Sequence, residues 1–101
     1  MIIYNITTKV HHSIATEWLK WLKDIHVKDV METNSFTKYK IVKLLEVDEA
    51  EGPTFAVQFS AESKALYNRY IEKFSGEMRR RSFEKWGDKF ISIRSVMQIV
   101  D

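Results

Sequence analysis

Cysteine is absent from the 101 residues, which removes disulfide frameworks, thiolate nucleophiles and thiolate metal sites together. Its absence fits a reducing compartment. Proline occurs once, at Pro53, and glycine only at Gly52, Gly76 and Gly87. The chain therefore contains no glycine-rich phosphate loop and no Gly-x-Ser-x-Gly elbow, and nucleotide-binding and serine-hydrolase readings have no support. No apolar run approaches the roughly 18 residues of a membrane span. The opening MIIYNITTKV lacks the basic head, longer apolar stretch and small-residue cleavage site of a signal peptide, so a cytoplasmic location is expected. Excess charge is missing too. Sixteen basic and fourteen acidic residues leave a net charge of +2, a weak steering field toward nucleic acid or anionic lipid.

What is present is an ordinary folding composition, 45% apolar, 13% aromatic and 30% charged, which fits neither disorder nor a membrane class. A chain this long buries about two-thirds of its unfolded surface, enough for one domain over residues 1–101. Residues 2–10 alternate Ile2, Tyr4, Ile6 with Ile3, Asn5, Thr7 and read as a strand. His12 and Ser13 offer capping chemistry for a helix whose apolar face carries Ile14, Trp18, Trp21, Leu22 and Ile25. Thr33 and Asn34 should end it. A second strand is expected over residues 36–47 and a third over Thr54–Ser60, joined as a hairpin by the turn Asp48–Pro53. Ser60 can cap a second helix with Leu66, Tyr70, Phe74 and Met78 at helical spacing, kinked or ended by Gly76 and stopped by Gly87. Phe90–Val100 is the last strand, with Ile91, Ile93, Met97 and Ile99 on one side.

The order β-α-β-β-α-β with right-handed crossovers predicts an α+β ferredoxin-like sandwich, a four-stranded antiparallel sheet with two helices on one face. The other face has no helix to cover it. Alternation assigns it Ile3, Asn5, Thr54, Ala56, Gln58, Phe90, Arg94 and Val96, if Phe55, Val57 and Phe59 face the helices. A partly apolar sheet face is usually covered, and a face-to-face homodimer is the expectation, with a monomer bearing a polar open face as the alternative.

Few groups can carry chemistry. His26 shares a helix face with Trp18, Leu22 and Asp29, and Asp29 stands three residues on, where a carboxylate can orient a general base or raise its pKa. The competing reading has His26 capping the helix end, with Asp29 terminating it. Trp18 and Trp21 either line a pocket for a flat ligand or fill the core. Asn5, Gln58 and Arg94 either converge in a dimer cavity or hydrogen-bond between subunits. Arg79, Arg80 and Arg81 form a basic run, either a solvated helix end or an anion site. His11 and His12 are adjacent and would point opposite ways, and no third ligand has metal-site spacing, so no metal is assigned. RNA-recognition domains share the topology, but Thr54 and Ala56 stand where their stacking rings belong, so no nucleic-acid partner is expected.

The segments MIIYNIT, WLKWLKDIHVKDV with Thr33 and Phe36, TFAVQFS and KFISIRSVMQIV resemble a bacterial family of short proteins of unknown function, prominent in Bacteroidetes. Relatives often carry proline where Lys28 stands here. That family is similar to the dimeric α+β barrel superfamily, whose members include cofactor-independent monooxygenases, haem-degrading enzymes, small isomerases and binding proteins without catalysis. The resemblance implies the fold and a homodimer, and it selects no reaction. It points to Asn5, Trp18, Trp21, His26 and Arg94 as site positions, with His26 as base or ligand contact. Taken together, the sequence predicts a small flat or aromatic ligand held by Asn5, Trp18, Trp21, Gln58 and Arg94, with His26 and Asp29 as catalytic candidates and no cofactor implied. Monooxygenase- or isomerase-like chemistry competes with a non-enzymatic homodimeric interaction module.

Overall fold

The computed structural model describes residues 1–101. Strand β1 (Ile2–Val10) leads into a helix made of α1 (Ala15–Trp21), a π-turn (Leu22–His26) and α2 (Val27–Met31). Strands β2 (Lys38–Lys43) and β3 (Thr54–Ala61) follow, then α3 (Lys64–Lys73), α4 (Ser75–Trp86) and β4 (Phe90–Gln98). The sheet runs β2-β3-β1-β4 with every neighbouring pair antiparallel. This is the ferredoxin-like order that the sequence predicts. No helix is long and apolar enough to cross a membrane.

One face of the sheet packs against the helices through alternate residues. Tyr4 faces Phe59 and Ile6 faces Val57 across β1 and β3, and Tyr39 and Ile41 continue the same rows on β2. Above them Trp18 of α1 stacks on Phe55 at 5.8 Å, and Tyr70 of α3 closes on Tyr4 at 5.8 Å and Phe36 at 5.0 Å. Phe59, Val10, Val27 and Val30 are fully buried. Each large apolar side chain removed from water in this way contributes about 1.5–3 kcal/mol.

Both predicted helices exist, and both are broken. In the first, Val27 N–H reaches back five residues to Leu22 C=O instead of four. One extra residue is thereby fitted into a turn, and the apolar face shifts phase. Ile25, expected on that face, is 51% exposed, while Val27 and Val30 are buried. His12 and Ser13 do not cap the helix, because the Ser13 hydroxyl pairs with the His11 ring at 2.7 Å. The helix ends as expected at Asn34, which takes a left-handed φ of 59° with its N–H on Met31 C=O. In the second helix the cap is Ser63, not Ser60, and accepts from Leu66 N–H at 3.2 Å. The break falls at Phe74 rather than Gly76, beside a Ser75 hydroxyl that donates to Ile71 C=O at 2.7 Å. Gly87 ends α4 at φ 62°, as predicted.

β2 is shorter than expected, with Phe36 buried ahead of it and Leu45 and Val47 exposed beyond it. The larger correction concerns β4. Ile6 pairs with Arg94, Val10 with Phe90 and Tyr4 with Val96, so Phe90, Arg94 and Val96 lie on the helix side of the sheet. The apolar row Ile91, Ile93 and Met97 aligns instead with Lys9, Thr7 and Ile3, on the face that no helix covers. Ile91 and Ile93 are 67% and 71% exposed there. Ile3, Asn5, Thr54, Ala56 and Gln58 do share that open face, as alternation predicts.

Candidate functional site

The π-turn decides which side chain enters the space between helix and sheet. In a regular α-helix the series Trp18, Trp21, Leu22 continues to residue 25. The extra residue hands that place to His26, leaving Ile25 in solvent. The imidazole lies over Trp21, with ring centroids 4.8 Å apart and planes 24° apart. Trp21 is braced in turn by Trp86, which meets it edge-on at 5.8 Å.

His26 borders a cavity of about 150 Å³ between the sheet and the helices. Its floor is Ile6, Val57 and Phe59, and Trp18, Trp21 and Leu22 form one wall. Residues of α4, namely Ser75, Met78, Arg79 and Ser82, form the other, and β4 closes one end with Ser92 and Arg94. Trp18 and Trp21 therefore belong to the core and to the cavity wall at once. No carboxylate or carboxamide lines this space.

The wall's polar groups divide into those already engaged and those free. Thr8 and Ser92 hydroxyls satisfy each other at 2.8 Å, and Ser75 and Ser82 donate to the carbonyls of Ile71 and Met78. Arg79 and Arg94 take part in no ion pair, unlike their neighbours on α4. Arg80 is held by Glu77 and Glu84, and Arg81 by Glu77 and Asp29. The basic run is thus mostly a solvated helix surface, with Arg79 alone turned to the cavity.

His26 is largely desolvated, and burial lowers its pKa from 6.5 to about 4. Asp29 opposes the shift, while Arg94 and Arg81 reinforce it. The imidazole is therefore neutral at pH 7, with one nitrogen donating and the other accepting. Burial also pushes the Tyr70 phenol above its usual range, so it stays a protonated donor.

The sequence-predicted residues fall into three groups. His26, Trp18, Trp21 and Arg94 meet in the cavity. Asp29 does not join them: its carboxylate pairs with Arg81 of α4 at 3.4 Å, and the net shift on His26 is downward, opposite to a carboxylate-raised base. Asn5 and Gln58 pair with each other across β1 and β3 on the far face of the sheet, so they do not converge with Arg94. Asn5 donates to Thr7 at 3.0 Å. Arg79, which sequence reasoning offers only as part of the basic run, and Tyr70 and Ser92, which it does not single out for the site, are wall residues. The three-and-four spacing of Ser75, Met78, Arg79 and Ser82 on one helix face was the available signal for the first.

The family model described as Domain of unknown function (DUF4286) matches residues 1–100. No curated protein sequence matches the chain. Among solved structures it is similar to a dimeric ferredoxin-like protein from an uncultured marine organism, at TM-score 0.73 and 15% identity over 100% of this chain and 96% of that one. A second dimeric ferredoxin-like protein from an uncultured marine organism gives 0.69 and 10%, covering 99% and 95%. SnoaB from Streptomyces nogalater, a cofactor-independent oxygenase solved in a mutant form, gives 0.65 and 7%, covering 99% and 94%. At these identities the likeness is one of fold.

Proposed function

The chain belongs to the family Domain of unknown function (DUF4286), and from that premise we propose that it is a small-molecule-binding protein, active as a homodimer, whose ligand site is the cavity beside His26. One observation carries the reading: the π-turn breaks a regular helical ladder and thereby turns a neutral imidazole, stacked on Trp21, toward an unfilled space. π-turns of this kind recur at functional sites because they reposition a side chain that a regular helix would misplace. The volume of about 150 Å³ matches cavities that accept one benzene-sized ring. The ligand is accordingly a flat monocycle held against Trp18 and Trp21.

The homodimer reading rests on the exposed row Ile91, Ile93 and Met97 on the open sheet face. A contiguous apolar patch of this kind is a liability in a monomer and a self-complementary surface in a two-fold pair. The two marine proteins whose names call them dimeric support it. Residues 1–101 act as one domain in this reading, and the cysteine-free composition supports a cytoplasmic location.

A catalytic reading goes one step further and is favoured by the proximity of His26 to Arg94. The neutral imidazole takes a proton from an acidic O–H or C–H of the ligand, and the electron pair stays on the ligand as a phenolate or enolate facing Arg94. Such a step opens isomerisations, and it is compatible with the oxygenase class named for SnoaB. A basicity as low as His26 has makes this proton transfer demanding until negative charge on the ligand raises it.

The test is titration of the protein with phenol and benzyl alcohol, read by the His26 ring signals in NMR and by tryptophan fluorescence. Saturable changes at both, abolished by Ser92→Phe placed to fill the space, support the ligand site. If no single-ring probe, neutral or charged, moves the His26 signals, the competing role as a ligand-free homodimeric interaction module takes its place. His26→Ala that leaves binding and any turnover unchanged removes the catalytic assignment.

A further inference from the structure

We infer that the ligand of this cavity is an anion, a single-ring carboxylate whose ring lies between Trp18, Trp21 and the sheet and whose charged end is held at the mouth by Arg79 and Arg94. The inference rests on the ligand-site reading above and adds the chemical class. Its starting point is hydrogen-bond accounting around the wall. The serine and threonine hydroxyls are engaged with each other or with helix carbonyls. What remains is a set of donors: two guanidinium groups, the Tyr4 and Tyr70 hydroxyls and one imidazole N–H. The acceptors that face them are the second imidazole nitrogen and hydroxyl oxygens, and no carboxylate or carboxamide oxygen is among them.

Charge points the same way. On α4, Glu77 and Glu84 neutralise Arg80, and Glu77 and Asp29 neutralise Arg81, yet no acidic side chain is spent on Arg79. Arg94 stands alone on β4, on the opposite wall, where it also helps depress the His26 pKa. Two unpaired guanidinium groups from different elements, converging on one cavity, leave a positive site that an oxyanion would neutralise. The planar fork of arginine suits a carboxylate, which can accept two parallel N–H bonds from each partner. The apolar floor of Ile6, Val57 and Phe59 has no such demand and takes the ring.

Benzoate and benzamide separate the charge from the shape, because the two are nearly isosteric and differ in ionisation. At pH 7 the protein should bind benzoate about tenfold more tightly than benzamide, the margin expected when the acceptor of an arginine hydrogen bond also carries the opposite charge. Arg94→Gln and Arg79→Gln, each checked for folding by circular dichroism, should each erase most of that margin, weakening benzoate several-fold more than benzamide. Added salt should weaken benzoate alone. Equal or tighter binding of benzamide by the wild-type protein overturns the anion assignment and leaves the ligand site standing. Binding of neither compound, together with silence toward phenol and benzyl alcohol, overturns both.

Discussion

Trp21 and His26 stack ring on ring at 4.8 Å although five residues separate them. In a regular α-helix those positions project about 140° apart. The contact exists because Val27 N–H bonds Leu22 C=O and the turn widens by one residue. A sequence feature with no motif therefore sets the geometry of the whole site, since without it Ile25 would face the sheet.

The depressed basicity of His26 makes stability depend on pH. Burial is the main cause, and the charged groups around the ring are Asp29 of α2, Arg81 of α4 and Arg94 of β4. The folded pKa lies below the unfolded one, so the unfolded chain binds a proton first as pH falls. Stability should decline between pH 6.5 and about 4 and level off below. Discounting for partial exposure, the loss is about 2 kcal/mol. Urea denaturation from pH 7 to pH 4 checks it against His26→Gln, which should remove most of the slope over that range. Glu77, held below the usual carboxylate range by hydrogen bonds from Arg80 and Arg81, acts in the same direction but at lower pH.

Two glycines should respond to alanine with opposite signs. Gly52 has φ 150°, and a Cβ there would lie 1.8 Å from the carbonyl oxygen of Val10. The turn it occupies is tied to the end of β1 by His12 N–H on Glu51 C=O and Val10 N–H on Pro53 C=O. Gly52→Ala should cost about 2 kcal/mol or more. Gly76 lies in α4 with nothing within 4 Å of its would-be Cβ, and Gly76→Ala should stabilise by about 0.5–1 kcal/mol. Thermal melts of both variants decide the pair, and a loss of stability at Gly76 would contradict the assignment of an unstrained helical position.

The open sheet face should hold the dimer. Ile93 is the most exposed residue of its row and pairs with Thr7 midway along the edge strand β4. Ile93→Lys places a charge in the self-association surface while adding nothing to the core. Light scattering after gel filtration should register a dimer for the wild type and a monomer for the variant, with unchanged circular dichroism. A dimer that survives Ile93→Lys would move the interface elsewhere.

Much of this is legible in the chain. Period-two alternation locates Ile2–Val10 and, one residue short of the observed end at Ala61, Thr54–Ser60, and helical spacing marks Trp18 and Trp21 as both core and site candidates. The misreadings share a cause. A helix template of fixed period assigns Ile25 inward, and only the i→i+5 bond corrects it. The rule that a strand alternates in phase with its neighbours leaves open which side of β4 meets the helices, and there Ile91, Ile93 and Met97 look outward while Arg94 looks toward His26. That outward apolar row follows when a sheet has a second surface to bury. Arg79 is hidden because a run of three arginines carries no clue that two are neutralised and one is not.

Asp29 offers the sharpest separation between a catalytic pair and a positioning network. A carboxylate that orients a general base hydrogen-bonds its imidazole, yet this one bonds Arg81 across the gap between α2 and α4 at 3.4 Å. Both side chains are partly exposed, and a pair of that kind contributes about 0.2–1 kcal/mol. Asp29→Asn should therefore cost less than about 1 kcal/mol by urea denaturation. It should lower the His26 pKa further by removing the one charge that raises it, a change NMR titration reads directly. Ligand affinity should stay within about twofold, because Asp29 lies outside the cavity wall and Arg81 is not among the guanidinium groups facing it. His26→Gln should instead weaken binding. Should Asp29→Asn abolish binding or turnover as completely as His26→Gln does, the two residues act as one unit and the ion pair with Arg81 is incidental to the site.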